Sequence, residues 1–245
     1  MEEVKSGLIP GRNPVIEALK AGREIEKIHM GRGAEGSVKK ICAMAKEKGV
    51  PVYYEDKQAL DKMYPGNHQG VIAVASAHSY CEIEDIIGLA KTRGEEPFVV
   101  ILDGVEDPHN LGAIIRTAEA AGVHGVIIPK RRAAGLSETV LKASAGALEY
   151  MLCAKVPNIA QAIDALKGMG LWICACDLGG ELYYKGDLSG GVGLVIGGEG
   201  TGVSRLVREK CDFVLSVAMK GKINSLNASN AAAILMYEVR RQRDG

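Results

Sequence analysis

The feature that most constrains this fold is a series of apolar runs, each of strand length, that begins at residue 98. The first run is 98–103, and further strands are predicted at 125–128, 149–153, 171–176, 192–197 and 213–217, with helical patterns between most of them. Strands that are apolar along their whole length are typical of a largely parallel sheet covered on both faces. The sequence therefore predicts an α/β fold with a mostly parallel sheet and helices on both faces.

Shorter helices and strands alternate in the first part of the chain. Asn13 is a candidate N-cap, with Pro14 at the first helical position. After that helix the pattern predicts strands at 25–30, 50–54 and 70–75 and helices at 35–48 and 57–64. We interpret residues 1–78 as one small α/β domain, residues 79–96 as a linker, and residues 97–245 as the second domain.

Composition and charge narrow the possible partners and locations. Of 245 residues, 47% are hydrophobic and 24% charged, as in folded proteins, and 30 basic side chains balance 30 acidic ones. A polyanion would therefore be bound through local patches such as Lys130-Arg131-Arg132. No stretch approaches the roughly 20 consecutive apolar residues of a membrane helix, and Met1-Glu2-Glu3 lacks the basic start of a secretion signal. We expect a cytoplasmic protein without membrane contact.

Cysteine and histidine spacing indicates no metal site. The six cysteines include no C-x-x-C pair, and Cys174 and Cys176 lie in an apolar run, where cysteine usually packs as a small hydrophobe. The five histidines include no pair four residues apart with an acidic residue between them. Zinc ribbons, disulfide frameworks and hydrolytic metal centres are therefore not expected.

Three segments place polar and glycine residues where ligand sites of parallel sheets gather, directly after an apolar strand. In the first segment, Asn110 is predicted to cap a helix whose apolar stripe includes Leu111 and Ile114. Arg116 lies off that stripe beside small residues, so its guanidinium has room to bind a planar anion such as phosphate. A surface ion pair is the alternative for Arg116.

The second segment is a strand that runs into four glycines around Glu199, at positions 197, 198, 200 and 202. Glycine lets the backbone approach a ligand closely and adopt conformations that are closed to other residues. The spacing matches neither the dinucleotide fingerprint G-x-G-x-x-G nor the phosphate-binding P-loop. A tight structural turn and a ligand loop both remain open on this evidence.

The third segment crowds four polar side chains at the start of the terminal helix. They are Ser225, Asn227, Ser229 and Asn230. One such residue is enough to cap a helix, so the excess favours hydrogen bonds to a ligand or partner, with ordinary polar loop chemistry as the alternative.

Taken in this order, three motifs resemble the signature motifs of the SpoU family of RNA ribose 2′-O-methyltransferases. They are Asn110-x5-Arg116, Gly197-Gly-Glu-Gly200 and Ser225-Leu-Asn227. The resemblance spans essentially residues 97–243. In the first domain, the segment 11–19 together with 68–71 resembles the small substrate-binding domain that many members carry. The whole chain is most similar to the bacterial type that methylates a guanosine of 23S ribosomal RNA.

The resemblance implies S-adenosylmethionine as methyl donor, a homodimer, and a second domain threaded as a deep trefoil knot. Transfer of a methyl group from a sulfonium to a hydroxyl requires no metal, so none is expected. It implies a catalytic role for Arg116, supported by Asn110, together with Glu199, Ser225 and Asn227. The cofactor's adenosine is expected to bind backbone around Gly197, Gly198, Gly200, Val217, Ala218 and Leu226.

Three alternatives remain at this stage. The same core motifs fit methylation of a transfer RNA guanosine, although the first domain favours ribosomal RNA. A non-catalytic RNA-binding protein could keep the fold, although the intact motif residues argue against it. A dinucleotide-dependent enzyme is disfavoured because the glycine spacing is wrong.

Overall fold

The computed structural model describes residues 7–33, 36–223 and 225–245, and the chain divides into two compact units. The front unit comprises Met1–Ser79 together with Gly135–Glu138. The main unit comprises Tyr80–Ala134 together with Thr139–Gly245. Each unit has its own sheet and its own apolar core.

The front unit is a four-stranded mixed sheet with helices. Its elements in chain order are β1 (Leu8–Pro10), α1 (Arg12–Lys20), β2 (Ile25–Gly31), α2 (Val38–Glu47), β3 (Val52–Glu55), α3 (Lys57–Met63) and β4 (Val71–Ala75). The strand order is β1-β4-β2-β3, in which β4 runs antiparallel to both neighbours and β3 pairs in parallel with β2. Alternate residues of β2 and β4 pack against the apolar faces of α1 and α2 to form the core.

The main unit is built on a six-stranded sheet. Its strands are β5 (Phe98–Asp103), β6 (Gly125–Pro129), β7 (Leu152–Val156), β8 (Trp172–Leu182), β9 (Val192–Gly197) and β10 (Phe213–Ser216). Its helices are α4 (Ile83–Arg93), α5 (Pro108–Ala120), α6 (Glu138–Ala143), α7 (Ile159–Gly168), α8 (Arg205–Lys210) and α9 (Ala228–Asp244). The strand order is β10-β8-β9-β5-β6-β7 and all five pairings are parallel. The predicted fold class is confirmed, while the knot stays a prediction of the resemblance.

Helix starts in the front unit differ from the sequence prediction. Helix α1 begins at Arg12 with Gly11 as its N-cap, so the predicted capping by Asn13 is wrong. Gly11 has a φ of 99°, which favours glycine, and its N–H is taken by the carbonyl of Val71. Helix α2 begins at Val38, and the predicted start at Glu35 lies outside the described residues. Strand β1 was not predicted because three residues carry too little periodicity.

The segment 79–96 is not a separate linker, because most of it forms α4 in the main unit. Ile86 and Ile87 of this helix are buried in the main core. A Cβ at Gly125 of β6 would lie 2.5 Å from the Cδ1 atom of Ile86, which shows how closely helix and strand pack. At the start of α4, Glu82 and Asp85 form a capping box that satisfies N–H groups of the first turn.

Strand β7 lies three residues later than predicted. The structure places it at Leu152–Val156 rather than 149–153, because Ala147–Tyr150 forms a turn of 3-10 helix. Among the described residues, none of the helices combines the length and apolar character that crossing a bilayer requires.

Candidate active site

A cavity of about 560 Å³ opens beside the glycine loop that follows β9. Its walls come from the segment after the apolar start of β8, from the glycine loop, and from the chain between β10 and α9. The lining residues are Cys176, Asp177, Leu178, Ile196, Gly197, Gly198, Glu199, Gly200, Thr201, Gly202, Val217, Met219, Ser225, Leu226, Asn227, Ala228 and Ala231. The site therefore lies where the carboxyl ends of parallel strands were expected to place it.

The glycines of the loop serve different purposes. A Cβ at Gly197 would lie 2.1 Å from the carbonyl carbon of Gly202, and one at Gly198 would lie 2.3 Å from the carbonyl oxygen of Gly104. These two positions need glycine because the backbone packs on itself. Gly200 has a φ of +78° and open space around its missing side chain. The loop is thus a tight turn at one end and leaves room for a ligand at Gly200.

Asp103, the last residue of β5, holds both ends of the glycine loop. Its carbonyl accepts from the backbone N–H of Gly198 at 2.9 Å, and its carboxylate Oδ2 accepts from the backbone N–H of Ser204 at 2.8 Å. The loop that carries Glu199 is therefore fixed to the neighbouring strand at two points.

Asn110 does not cap helix α5, which corrects the sequence prediction. The N-cap is Asp107, whose Oδ1 accepts from the N–H of His109 at 2.9 Å. Pro108 follows at the first position because proline has no N–H to satisfy there. Asn110 lies inside the helix, is 7% exposed, and donates from Nδ2 to Oε1 of Glu199 at 3.0 Å.

Asn227 completes a cluster with these two residues. Its Nδ2 donates to Oδ1 of Asn110 at 2.9 Å and also to Oε1 of Glu199. Its Oδ1 accepts from the N–H of Ser229 at 2.9 Å, which makes Asn227 the N-cap of α9. One residue from each of the three motifs thus meets in a hydrogen-bonded cluster at the cavity, which we call the Asn–Glu–Asn cluster.

Arg116 stands apart from this cluster. It is exposed on α5 and does not line the cavity. It lies six residues after Asn110, which on a helix is a rotation of about 240° and an advance of about 9 Å. No ion pair or hydrogen bond of its guanidinium is found in the described ranges, so the alternative of a surface ion pair is not seen there. The guanidinium is available to a ligand or partner.

The family model described as the SpoU rRNA Methylase family matches residues 97–237. The chain belongs to the SpoU family. A second model, described as RNA 2′-O ribose methyltransferase substrate binding, matches residues 8–81. The recognition that rested on the three motifs is therefore confirmed, and RNA methyl transfer is the activity of the family.

Known relatives span nearly the whole chain. The Bacillus subtilis protein YacO, assigned to the TrmH family of tRNA/rRNA methyltransferases, is 45% identical over 96% of this chain and 95% of its own. The SpoU methyltransferase AviRb from Streptomyces viridochromogenes, solved with AdoMet, has a TM-score of 0.61 at 26% identity and covers 97% of this chain and 90% of its own. An AdoMet-bound rRNA methyltransferase from Sinorhizobium meliloti has a TM-score of 0.61 at 27% identity, covering 98% and 88%.

The cavity of this SpoU protein collects most residues that the motifs singled out. Glu199, Ser225 and Asn227 line it, as do the expected cofactor-binding residues Gly197, Gly198, Gly200, Val217 and Leu226. Ala218 is not among the lining residues, and Asn110 reaches the site through its hydrogen bonds to Glu199 and Asn227.

Asp177 is a site residue that the sequence analysis missed. Its Oδ2 accepts from Nη1 of Arg208 at 2.5 Å, and its Oδ1 accepts from the N–H of Leu178 at 2.7 Å. The signal was available, since an acidic residue followed by glycines comes directly after the apolar run 171–176. That run was assigned only to the core, although β8 extends to Leu182 and passes the cavity.

The Cys176 thiol in the cavity lining is not activated as a nucleophile. Burial, followed by the nearby charge of Asp177, raises the pKa of the Cys176 thiol to about 11, so the sulfur stays protonated at neutral pH. In the described part of the chain, no group of three or more His, Cys, Asp or Glu side chains is placed to hold a metal ion.

Proposed function

We propose that this SpoU family member transfers a methyl group from S-adenosylmethionine to the ribose 2′-hydroxyl of a guanosine in 23S ribosomal RNA. We further propose that it acts in the cytoplasm as a homodimer. The observation that carries the proposal is the Asn–Glu–Asn cluster, in which Asn110 is hydrogen-bonded to the cavity-lining residues Glu199 and Asn227. A structural turn alone gives no reason for three distant polar motifs to meet.

The cavity fits the proposed cofactor in size and chemistry. Its volume of about 560 Å³ lies within the roughly 300–1,000 Å³ of small-molecule sites. Leu178, Ile196 and Leu226 provide apolar surface for an adenosine, and the carboxylate of Glu199 suits a positively charged ligand. The AdoMet-bound relatives share this fold, which supports the same donor here.

The residues would divide the chemistry between them. S-adenosylmethionine, when bound, supplies a methyl group on a positively charged sulfur. Backbone at Gly197, Gly198, Gly200, Val217, Ala218 and Leu226 would hold it. The hydrogen-bonded Asn–Glu–Asn cluster and Ser225 would orient the donor and the target sugar, because an in-line displacement depends mainly on alignment of the two reacting atoms.

Arg116 is proposed as a clamp on the phosphate of the target nucleotide rather than as a general base. A guanidinium is almost never neutral in a protein, so it is a poor proton acceptor. Its fork of N–H groups matches a phosphate and also stabilises the negative charge that develops on the sugar oxygen. Its exposure on α5 leaves it open to RNA.

The choice of ribosomal RNA rests on the front unit. Residues 1–78 are proposed as the substrate-binding domain, which the substrate-binding model over 8–81 supports, and residues 97–245 as the methyltransferase domain. Methylation of a transfer RNA guanosine is the second candidate, because the Bacillus subtilis relative is assigned to tRNA/rRNA methyltransferases.

Three measurements test the proposal. Calorimetry should show binding of S-adenosylmethionine and none of NAD, and NAD binding alone would refute the cofactor. Ribose methylation mapped across total RNA from cells that lack the protein should lose one mark in 23S ribosomal RNA, whereas loss in a transfer RNA would favour the second candidate. Light scattering tests the homodimer, which requires twice the mass of one 26.0 kDa chain.

A further inference from the structure

The front unit exposes two adjacent tyrosines on its edge strand. Tyr53 and Tyr54 of β3 are 45% and 56% exposed, and within the described part of the front unit they are the exposed large apolar side chains. Among the described strands of this sheet, β3 pairs with β2 alone and lies at the sheet's edge. Exposed aromatic rings on an edge strand do not pack in the apolar core, so core packing does not explain their presence.

The two rings lie on opposite faces of the sheet, because successive strand residues alternate. The Tyr54 hydroxyl lies 3.7 Å from Sγ of Cys42 on α2, so Tyr54 faces the helices. Tyr53 is paired in register with His29 of β2, and their rings stack with centroids 5.9 Å apart at an interplanar angle of 28°. Ile28 and Met30, which flank His29, belong to the helix-side core, so the stacked pair lies on the other face.

The surroundings of this pair fix its charge. His29 Nδ1 lies 3.2 Å from Oε1 of Glu55, and burial holds the pKa of His29 below its ordinary value, so the ring that supports Tyr53 is neutral at pH 7. Lys27 lies two residues before His29, on the same face, and is exposed. In the described ranges Lys27 has no ion pair, so its ammonium is available beside the stack.

We propose that Tyr53, supported by His29, is a stacking platform for an unpaired base of the RNA substrate, with Lys27 contacting the adjoining phosphate. This inference rests on the proposed function and assigns residues to its substrate-binding step. Sequence-specific proteins bind RNA mostly at unpaired nucleotides, whose bases stack on aromatic rings. Residues 1–78 contain 12 basic and 10 acidic side chains, so charge alone gives this unit little affinity for RNA, and stacking is the available source.

Tyrosine variants of the full chain test the platform by their affinity for a single-stranded RNA oligonucleotide, measured by fluorescence anisotropy. Tyr53→Ala should weaken binding about 5- to 150-fold, which corresponds to the 1–3 kcal/mol per stacked base. Tyr53→Phe keeps the ring and should bind like the wild type. Tyr54→Ala is the matched control, because it removes a neighbouring exposed ring from the other face, and it should leave affinity unchanged.

Catalytic measurements separate this inference from the proposed function. With ribosomal RNA as substrate, Tyr53→Ala should raise KM for RNA and keep kcat at saturating RNA within about twofold of the wild-type value. Its affinity for S-adenosylmethionine, measured by calorimetry, should not change. Wild-type affinity of Tyr53→Ala, or equal losses in Tyr53→Ala and Tyr54→Ala, would overturn the platform. A wild-type protein that binds RNA but neither binds S-adenosylmethionine nor transfers methyl would refute the proposed function while the Tyr53 comparison still stands.

Discussion

At the scale of single residues, Asn227 shows how one side chain serves a helix and a site together. Its oxygen caps α9 through the N–H of Ser229, while its nitrogen donates to Asn110 and Glu199. Four polar residues at this helix start exceeded what capping needs. The structure accounts for part of the excess, because the Ser229 hydroxyl donates to the same Asn227 oxygen at 2.6 Å.

Substitution of Asn227 can separate its two roles. Asn227→Ser keeps an oxygen for the cap but lacks the amide nitrogen, whereas Asn227→Ala lacks both. We expect both variants to lose methyl transfer by about 10²–10³, the cost of one preorganised donor. Urea unfolding should show Asn227→Ala to be less stable than Asn227→Ser by roughly 0.5–2 kcal/mol. Activity that survives in Asn227→Ser alone would mean that the cap, not the cluster, matters for catalysis.

Arg116 provides a second test at this scale. Arg116→Lys keeps the charge but loses the planar fork, so methyl transfer should fall by about 10²–10³. Binding of S-adenosylmethionine should not change, because Arg116 does not line the cavity. Glu119→Gln, on the exposed surface of the same helix, is the control and should keep full activity. Near wild-type activity in Arg116→Lys would exclude the two-pronged phosphate clamp.

His124 makes the stability of the main unit depend on pH. Its Nδ1 accepts from the N–H of Phe98 at 3.0 Å and its Nε2 lies 2.9 Å from Oε2 of Glu95, while burial lowers its pKa despite the opposing effect of Glu95. The unfolded imidazole takes up a proton near pH ~6.5 and the folded one resists, so stability falls as pH drops below that value.

The His124 contribution can be isolated with His124→Asn, which keeps an acceptor near the Phe98 N–H but does not titrate. The free energy of unfolding, measured in urea between about pH 5 and pH 7, should vary less with pH in the variant than in the wild type. His29 shifts in the same direction and remains in both proteins, so its effect cancels. Identical pH profiles would show that His124 is not responsible.

At the scale of elements, the sequence predicted strands better than helix ends. Strands β5, β6, β9 and β10 lie within one residue of their predicted bounds, because each is an unbroken apolar run. Helix ends depend on single capping residues. Helix α5 is capped by Asp107, which precedes a proline, and not by Asn110 as the sequence predicted. Helix α4 was missed as a core element because its caps are charged and only one narrow face is apolar.

The site could be predicted only in part, because its contacts join residues that are distant in the sequence. The three motifs were visible in the sequence, and the resemblance supplied their roles. Their hydrogen bonds join residues 89 and 117 positions apart, and no local pattern encodes such contacts. Asp177 was missed because the apolar run before it was assigned only to the core, although β8 continues past that run to Leu182.

The glycine loop gives a prediction at the element scale. Gly197→Ala would place a Cβ 2.1 Å from the backbone of Gly202, so the loop would have to move. The affinity for S-adenosylmethionine should then fall by about tenfold or more. Gly168→Ala at the end of α7 meets open space and is the control, with unchanged affinity and slightly higher stability. Calorimetry measures both. Unchanged affinity in Gly197→Ala would show that the loop does not shape the cofactor site.

At the scale of the whole molecule, the net charge is zero, but the basic clusters differ in whether their charges are paired within the protein. Near the C-terminus, Arg240 pairs with Asp244 at 2.7 Å and Arg241 with Glu238 at 2.7 Å, so these charges are neutralised within the protein. The run Lys130-Arg131-Arg132 is exposed after β6 and has no ion pair among the described residues. The run at 130–132, which the sequence suggested as a patch for a polyanion, therefore has its charges free.

Salt dependence distinguishes these two clusters. Each basic side chain that neutralises a phosphate of single-stranded RNA adds about 0.7 to the slope of log affinity against log salt. Changing Lys130, Arg131 and Arg132 to Gln should reduce that slope for a 23S ribosomal RNA fragment by about 2, because three phosphate contacts are lost. Changing Arg240 and Arg241 to Gln should leave it nearly unchanged, since their charges already have partners. Filter binding over a range of salt concentrations measures both slopes.

An equal reduction in the two variants would mean that the internal ion pairs open when RNA binds. No reduction in the variant changed at 130–132 would mean that the RNA binds another face of the protein.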